Sequence, residues 1–205
     1  MIARRQFLSR GVASLAATSA LFASPSLSIA SPEAFPVRYV DPRWMKKKWR
    51  RQVVRSPFDQ PPGTIVVDAR ARFLYLIGAD NTALRYGIAV GREGFGWSGV
   101  STIERKAKWP SWTSTARMNE ETPGMSFQID GGPGNPLGAR ALYLYAGGKD
   151  TLYRLHGGGT IQTIGNAVSA GCIRMLDQDV IDLYERAPQG TKVIVLDPRN
   201  PSMSG

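Results

Sequence analysis

The chain has 205 residues, 42% of them hydrophobic, a formal net charge of +10, one cysteine and one histidine. That length supports one domain with a real core. A lone cysteine excludes an intramolecular disulfide framework, and one Cys with one His falls short of a zinc ligand set, so metal binding by this pair is not expected.

Residues 1–30 read as an export signal. Arg4-Arg5-Gln6-Phe7-Leu8 is a twin-arginine pair followed by two apolar residues, Gly11 to Ala23 is apolar, and Ser28-Ile29-Ala30 supplies small residues for cleavage near Ala30. The apolar stretch is short for a membrane span, which takes about 20 residues, so a cleaved signal is favoured over an uncleaved anchor. The expected location is the periplasm or cell envelope. Removing residues 1–30 takes away Arg4, Arg5 and Arg10 and no acid, which lowers the charge from +10 to +7. A basic exported chain suits an anionic wall or membrane surface, and export argues against nucleic acid.

Residues 31–62 hold six prolines and no clear period, and read as a lead-in arm. Lys46, Lys47, Lys48, Arg50 and Arg51 give it a dense cationic run, either a solvated face or a contact for wall or lipid anions. The pattern then turns to short β-type segments. Thr64–Asp68, Arg72–Ile77 and Ala83–Val90 are rich in β-branched and aromatic residues, with Ala79-Asp80-Asn81 as a tight turn. The stretch from Gly91 to Arg140 is loop-rich and reads as a lid or binding surface. Further strands are expected at Ala141–Ala146, Thr151–His156 and Thr191–Leu196, with Leu152, Arg154 and His156 alternating onto one face. One late helix follows Asp177 as N-cap, with Val180, Leu183 and Tyr184 at helical spacing and Gly190 beyond its end. The class is mainly β with one late α-helix.

The solitary His156 and Cys172 lie sixteen residues apart. A thiol attacks carbon as its thiolate, and an imidazole is the usual group that makes it. A close pair would keep the thiol reactive well below the free-thiol pKa of about 8.5. The bland alternative is a buried structural Cys and an unrelated His. Gly171 lets the backbone approach the reacting centre, where the amides of the turn, Ile173 included, can support an oxyanion. Arg174 is either a fork for a substrate carboxylate or a structural partner of Asp177. Trp109 either flanks the substrate or simply packs.

His156-Gly157 followed by Ser169-Ala170-Gly171-Cys172-Ile173-Arg174 resembles the signature of the L,D-transpeptidases with the YkuD-type catalytic domain. Gly63–Asp68, Tyr86–Arg92, Lys108–Trp112, Gly134-Asn135-Pro136-Leu137-Gly138 and Gly190–Val195 agree with it. The likeness covers about residues 63–197, the expected catalytic domain, and leaves 198–205 as a C-terminal tail. It implies a β-sandwich of mixed sheets, with no metal or organic cofactor. It implies that Cys172 attacks a peptidoglycan tetrapeptide stem, expels D-Ala and hands the acyl group to an amine. Cross-linking, protein anchoring and D-amino-acid exchange are the outcomes, and carbapenem-type inhibitors would acylate the same thiol. Ser169, Tyr153, Gly157, Arg174 and Trp109 are the candidate substrate contacts, with Cys172 and His156 catalytic. Two departures stand out: Ala170 replaces a family histidine, and Trp112-Thr113-Ser114-Thr115 replaces a proline-rich loop. The resemblance places the base at the upstream histidine, so His156 suffices. Two rivals stay open: a carboxypeptidase or endopeptidase in which water resolves the thioester, and a non-catalytic wall-binding module.

Overall fold

The computed structural model describes residues 33–92, 96–114, 127–169 and 171–199. The export signal, the end of the tail and Ala170 lie outside these residues. Thirteen strands and one helix are described: β1 (Gln52–Arg55), β2 (Ile65–Asp68), β3 (Phe73–Ile77), β4 (Thr82–Gly87), β5 (Val90–Gly91), β6 (Gly99–Lys108), β7 (Trp112–Thr113), β8 (Gln128–Ile129), β9 (Arg140–Ala146), β10 (Lys149–His156), β11 (Ala167–Ser169), β12 (Ile173–Arg174), α1 (Asp177–Arg186) and β13 (Lys192–Val195).

Nine strands form one mixed sheet in the order β1-β4-β3-β2-β13-β6-β9-β10-β12. β13–β2 and β10–β12 pair in parallel, and the other neighbours are antiparallel. The sheet folds back on itself. Ala89, just past β4, bridges Arg174 of β12 through two backbone hydrogen bonds of 2.8 Å. Between the layers lies a core that includes Ile65, Leu74, Tyr86, Ile103, Leu142, Leu155 and Ile173, closed by Val180 and Leu183 of α1. These residues are β-branched, aromatic or leucine on the strands and sit three apart on the helix, as burial on those two periods requires. The mainly β sandwich with one late helix is therefore what forms.

Several expected details differ. Gly91–Arg140 was expected to be loop, yet it contains β6, ten residues long, between β13 and β9. Its charged residues, Glu104, Arg105, Lys106 and Lys108, hid the strand by removing the apolar alternation. Arg105 and Lys106 instead lie over the rings of Tyr143 and Tyr184, which gives cations a seat on a sheet. Leu176, not Asp177, is the N-cap of α1, and the helix ends at Arg186, four residues before Gly190. The lead-in arm contributes β1 to the sheet and two 3-10 turns, Pro42–Trp44 and Lys47–Trp49. Its Val40 and Met45 are buried with Ile164 and Leu176, and Trp49 packs beside them. Around the cationic run, then, Met45 turns inward and Trp49 is half-buried, while Lys46, Lys47 and Lys48 stay exposed. The turn at Asp80-Asn81 forms as read, both residues taking positive φ.

Candidate active site

β10 and β12 bring the two solitary groups to neighbouring positions. The parallel register pairs Leu155 with Ile173 and His156 with Arg174. Cys172 therefore stands beside Arg154, two residues before His156 along β10. Its sulfur donates to the Leu152 carbonyl at 3.6 Å and accepts the Arg154 backbone N–H.

His156 is buried at 3% exposure, and its Nδ1 lies 2.8 Å from the Gly157 carbonyl. That oxygen can only accept, so Nδ1 carries the proton and Nε2 keeps its lone pair. The next residue is fixed from three sides. Gly157 N–H donates to the Leu137 and Arg140 carbonyls, while Asp177 accepts the N–H groups of Ala139 at 2.9 Å and Gly158 at 3.0 Å. A Cβ at Gly157 would collide with that Asp177 carboxylate, which is why the residue after the histidine is glycine. Asn135 shapes the preceding loop by donating to Ile129 and Asp130 and accepting from Leu137. The Gly134–Gly138 segment thus acts as scaffold for the histidine.

The electrostatics keep both groups neutral at rest. Burial, aided by the charges of Arg174 and Arg154, lowers the His156 pKa to about 3 against the pull of the Gly157 carbonyl. Burial raises the Cys172 pKa, opposed by the Arg154 N–H and the charges of Arg154 and Arg174. The expectation of a thiol reactive well below pH 8.5 is therefore corrected: removal from water outweighs the cations, and the resting group is a thiol. Such a pair can do general-base chemistry, in which the imidazole takes the proton as the sulfur attacks.

The other expected residues divide. Gly171 takes φ +134, and a Cβ on Gly91 would lie 2.7 Å from the Gly171 Cα, so the turn that carries Cys172 rests directly on β5. Ser169 pairs with Gly91 in the same strip. Tyr153, Gly171 and Ile173 line a cavity of about 840 Å³ together with Trp97, Arg92 and Arg199. Arg174 forms no salt bridge with Asp177. Its charge acts on His156 and Cys172, and its buried Nε has no hydrogen-bond partner. Trp109 joins a different group: its indole donates to Glu33 at 2.8 Å and its ring meets Phe35 edge-on at 5.3 Å. Among the described residues no three His, Cys, Asp or Glu side chains cluster as a metal site requires.

Sequence reasoning missed Asp150, Leu152 and Arg154 as neighbours of the sulfur. The register of β10 against β9 shifts between Asp150 and Arg154, and Leu152 takes φ +61 with its side chain 62% exposed. Leu152 therefore leaves the face expected from alternation. Nothing in a Leu codon position announces a left-handed backbone. The only signal was Asp two residues earlier, a residue type that caps such turns.

Comparison with known proteins identifies the family. Residues 62–195 match the family model of the YkuD L,D-transpeptidase catalytic domain. The Escherichia coli (strain K12) protein named probable L,D-transpeptidase YbiS is 33% identical over 143 residues, covering 66% of this chain and 44% of that protein. The chain thus spans less than half the length of that curated relative. Among solved structures, a Brucella melitensis protein described as a probable carnitine operon oxidoreductase is 48% identical, covering 76% of this chain and 99% of that one, with a TM-score of 0.49. The catalytic domain of the Enterococcus faecium L,D-transpeptidase acylated by ertapenem is 18% identical over 65% of this chain and 95% of that one, also with a TM-score of 0.49. The chain belongs to the L,D-transpeptidase family, and residues 62–195 are its YkuD-type catalytic domain.

Proposed function

We propose that this protein is a peptidoglycan L,D-transpeptidase acting in the cell envelope, with Cys172 as nucleophile and His156 as general base. The observation that carries the reading is the β10–β12 register, which brings the strand of Cys172 alongside that of His156, whose Nδ1 proton is held by the Gly157 carbonyl. His156 Nε2 takes the proton as the sulfur attacks the carbonyl before the terminal D-Ala of a tetrapeptide stem. The imidazolium then protonates the departing D-Ala amine, which leaves a thioester on Cys172. An acceptor amine attacks that thioester, loses its proton to the same nitrogen, and the thiol returns. Amides of the Gly171–Ile173 turn stabilise the oxyanion in both steps. Arg174 and the cavity beside Tyr153 receive the anionic parts of the stem. Carbapenems acylate the same sulfur, and the arm's outward cations meet wall or membrane anions.

Purified protein incubated with tetrapeptide muropeptides tests the reading by mass spectrometry. Cross-linked or exchanged products that vanish in Cys172→Ala and His156→Ala are expected. Exclusive tripeptide release would replace transfer with hydrolysis. Unchanged wall binding by Cys172→Ala, with no product from either protein, would leave only a binding module.

A further inference from the structure

The strand beside the nucleophile is distorted in a way that acyl transfer alone does not require. Leu152 holds a left-handed backbone with most of its side chain in solvent, so packing does not keep it there. Hydrogen bonds do. The Asp150 carboxylate accepts the Leu152 N–H at 2.8 Å and grips the Arg154 guanidinium at 2.6 and 2.8 Å. Thr151 Oγ1 donates to the Leu144 carbonyl at 2.7 Å and accepts the Tyr153 N–H at 3.1 Å. Arg154 is further fixed over the Tyr143 ring at 4.4 Å. The result of this bracing is one peptide turned so that its carbonyl faces Cys172 Sγ.

We propose that Asp150 is a positioning residue for the nucleophile: by clamping the β10 bulge it presents the Leu152 carbonyl as acceptor of the Cys172 S–H and so parks the sulfur as a thiol until substrate arrives. While the S–H points at Leu152, its proton is not shared with His156. Attack requires the S–H to turn from that carbonyl to His156 Nε2, so the bulge holds a resting state that the reaction must leave. The idea rests on the reading of Cys172 as the reacting thiol, but its test does not need turnover.

Among the described residues the charged groups acting on the sulfur are Arg154 and Asp150 of β10 and Arg174 of β12, with Tyr143 of β9 beneath Arg154 and Arg105 of β6 on the same ring; His156 lies two residues along β10 from Arg154. Burial and Asp150 favour the thiol, whereas Arg154 and Arg174 favour the thiolate. Replacing Asp150 by Asn removes a negative charge, releases the charge of Arg154 and loosens the Leu152 carbonyl. All three changes push the thiol pKa down.

The experiment is the rate of iodoacetamide alkylation against pH, read by intact mass, where the adduct formed by the protein and not by Cys172→Ala reports the thiol, since the chain has one cysteine. Wild type should show a midpoint above that of the urea-unfolded chain, which is about 8.5. Asp150→Asn should lower the midpoint by about one unit while the limiting rate at high pH stays near wild type. Thr151→Ala, which loosens the bulge without changing charge, should lower it by less. A variant that had merely melted would show the limiting rate of the unfolded chain as well. A wild-type midpoint at or below the unfolded value, or both variants titrating as wild type does, overturns the proposal.

Discussion

Glu33→Gln probes how much of the catalytic unit depends on the segment ahead of it. Arg140, at the start of β9, is 1% exposed, and its guanidinium pairs with both carboxylate oxygens of Glu33. Its other partners are the Ala139 carbonyl and the Tyr184 ring, and its Nε has none. Breaking a fully buried pair costs about 3–5 kcal/mol because the remaining charge is stranded. The Glu33 side chain keeps 30% exposure, so solvent already screens one partner, and a loss of about 2–3 kcal/mol is the reasoned figure. For a domain this size that lowers the melting temperature by about 5–10 °C.

The pH dependence gives the same prediction a second arm. The Arg140 hydrogen bond holds the Glu33 carboxyl below its ordinary value, overcoming its partial burial. A depressed carboxylate stabilises the fold above its unfolded pKa and loses that contribution as pH falls through the folded value. Melting curves of wild type and Glu33→Gln, followed by circular dichroism, should therefore differ at pH 7, approach each other below the ordinary carboxylate range and converge once the pH has fallen below the depressed Glu33 value. The double variant Glu33→Gln/Arg140→Met should recover much of the loss, because the stranded charge is gone. Equal melting temperatures for wild type and Glu33→Gln at pH 7 would refute the argument and show that Ala139 and Tyr184 suffice for Arg140.

Two further outcomes follow from buried groups and close contacts. His156, with its pKa near 3, binds fewer protons folded than unfolded, so its contribution is lost as pH falls below about 6.5, at about 1.4 kcal/mol per unit. Asp179 runs the opposite way: burial, with Asp182 beside it, raises it to about 6 against Arg51, so its contribution is lost as pH rises from about 4 to 6. Urea unfolding of wild type should thus be nearly flat between pH 4.5 and 6, and Asp179→Asn should show the bare histidine slope; a flat Asp179→Asn profile would contradict it. Gly91→Ala would drive a Cβ to 2.7 Å from the Gly171 Cα, displacing the nucleophile turn. Acyl transfer should fall roughly a hundredfold while the protein stays folded, since misplacement of about 1 Å has that effect on reacting groups; wild-type kinetics in that variant would show that the turn yields without harm.

Residue pattern carried the reading furthest where burial imposes a period. The strands β2, β3, β9 and β13 and the helix α1 announce themselves because one face of each must be apolar to enter the common core. β6 did not, since its outward cations lie on tyrosine rings supplied by β9 and α1, partners remote in the chain. The arm was illegible for a similar reason. Val40, Met45 and Trp49 are spaced irregularly because they insert one at a time against Ile161, Ile164 and Leu176 rather than along one regular face.

At the candidate site, chemistry needed only composition: with one imidazole and one thiol, a histidine-assisted cysteine has a single possible pair, and the motif around it marks the family. Whether that thiol rests ionised or protonated was beyond composition. Desolvation depends on what surrounds the sulfur from every direction, and the Leu152 carbonyl, the Arg154 amide and the two guanidinium groups converge on it only through the β10 bulge and the β10–β12 register. Which imidazole and thiol are available is a property of the chain. Their protonation and aim are properties of the fold, because electric fields and hydrogen bonds act through space and not along sequence.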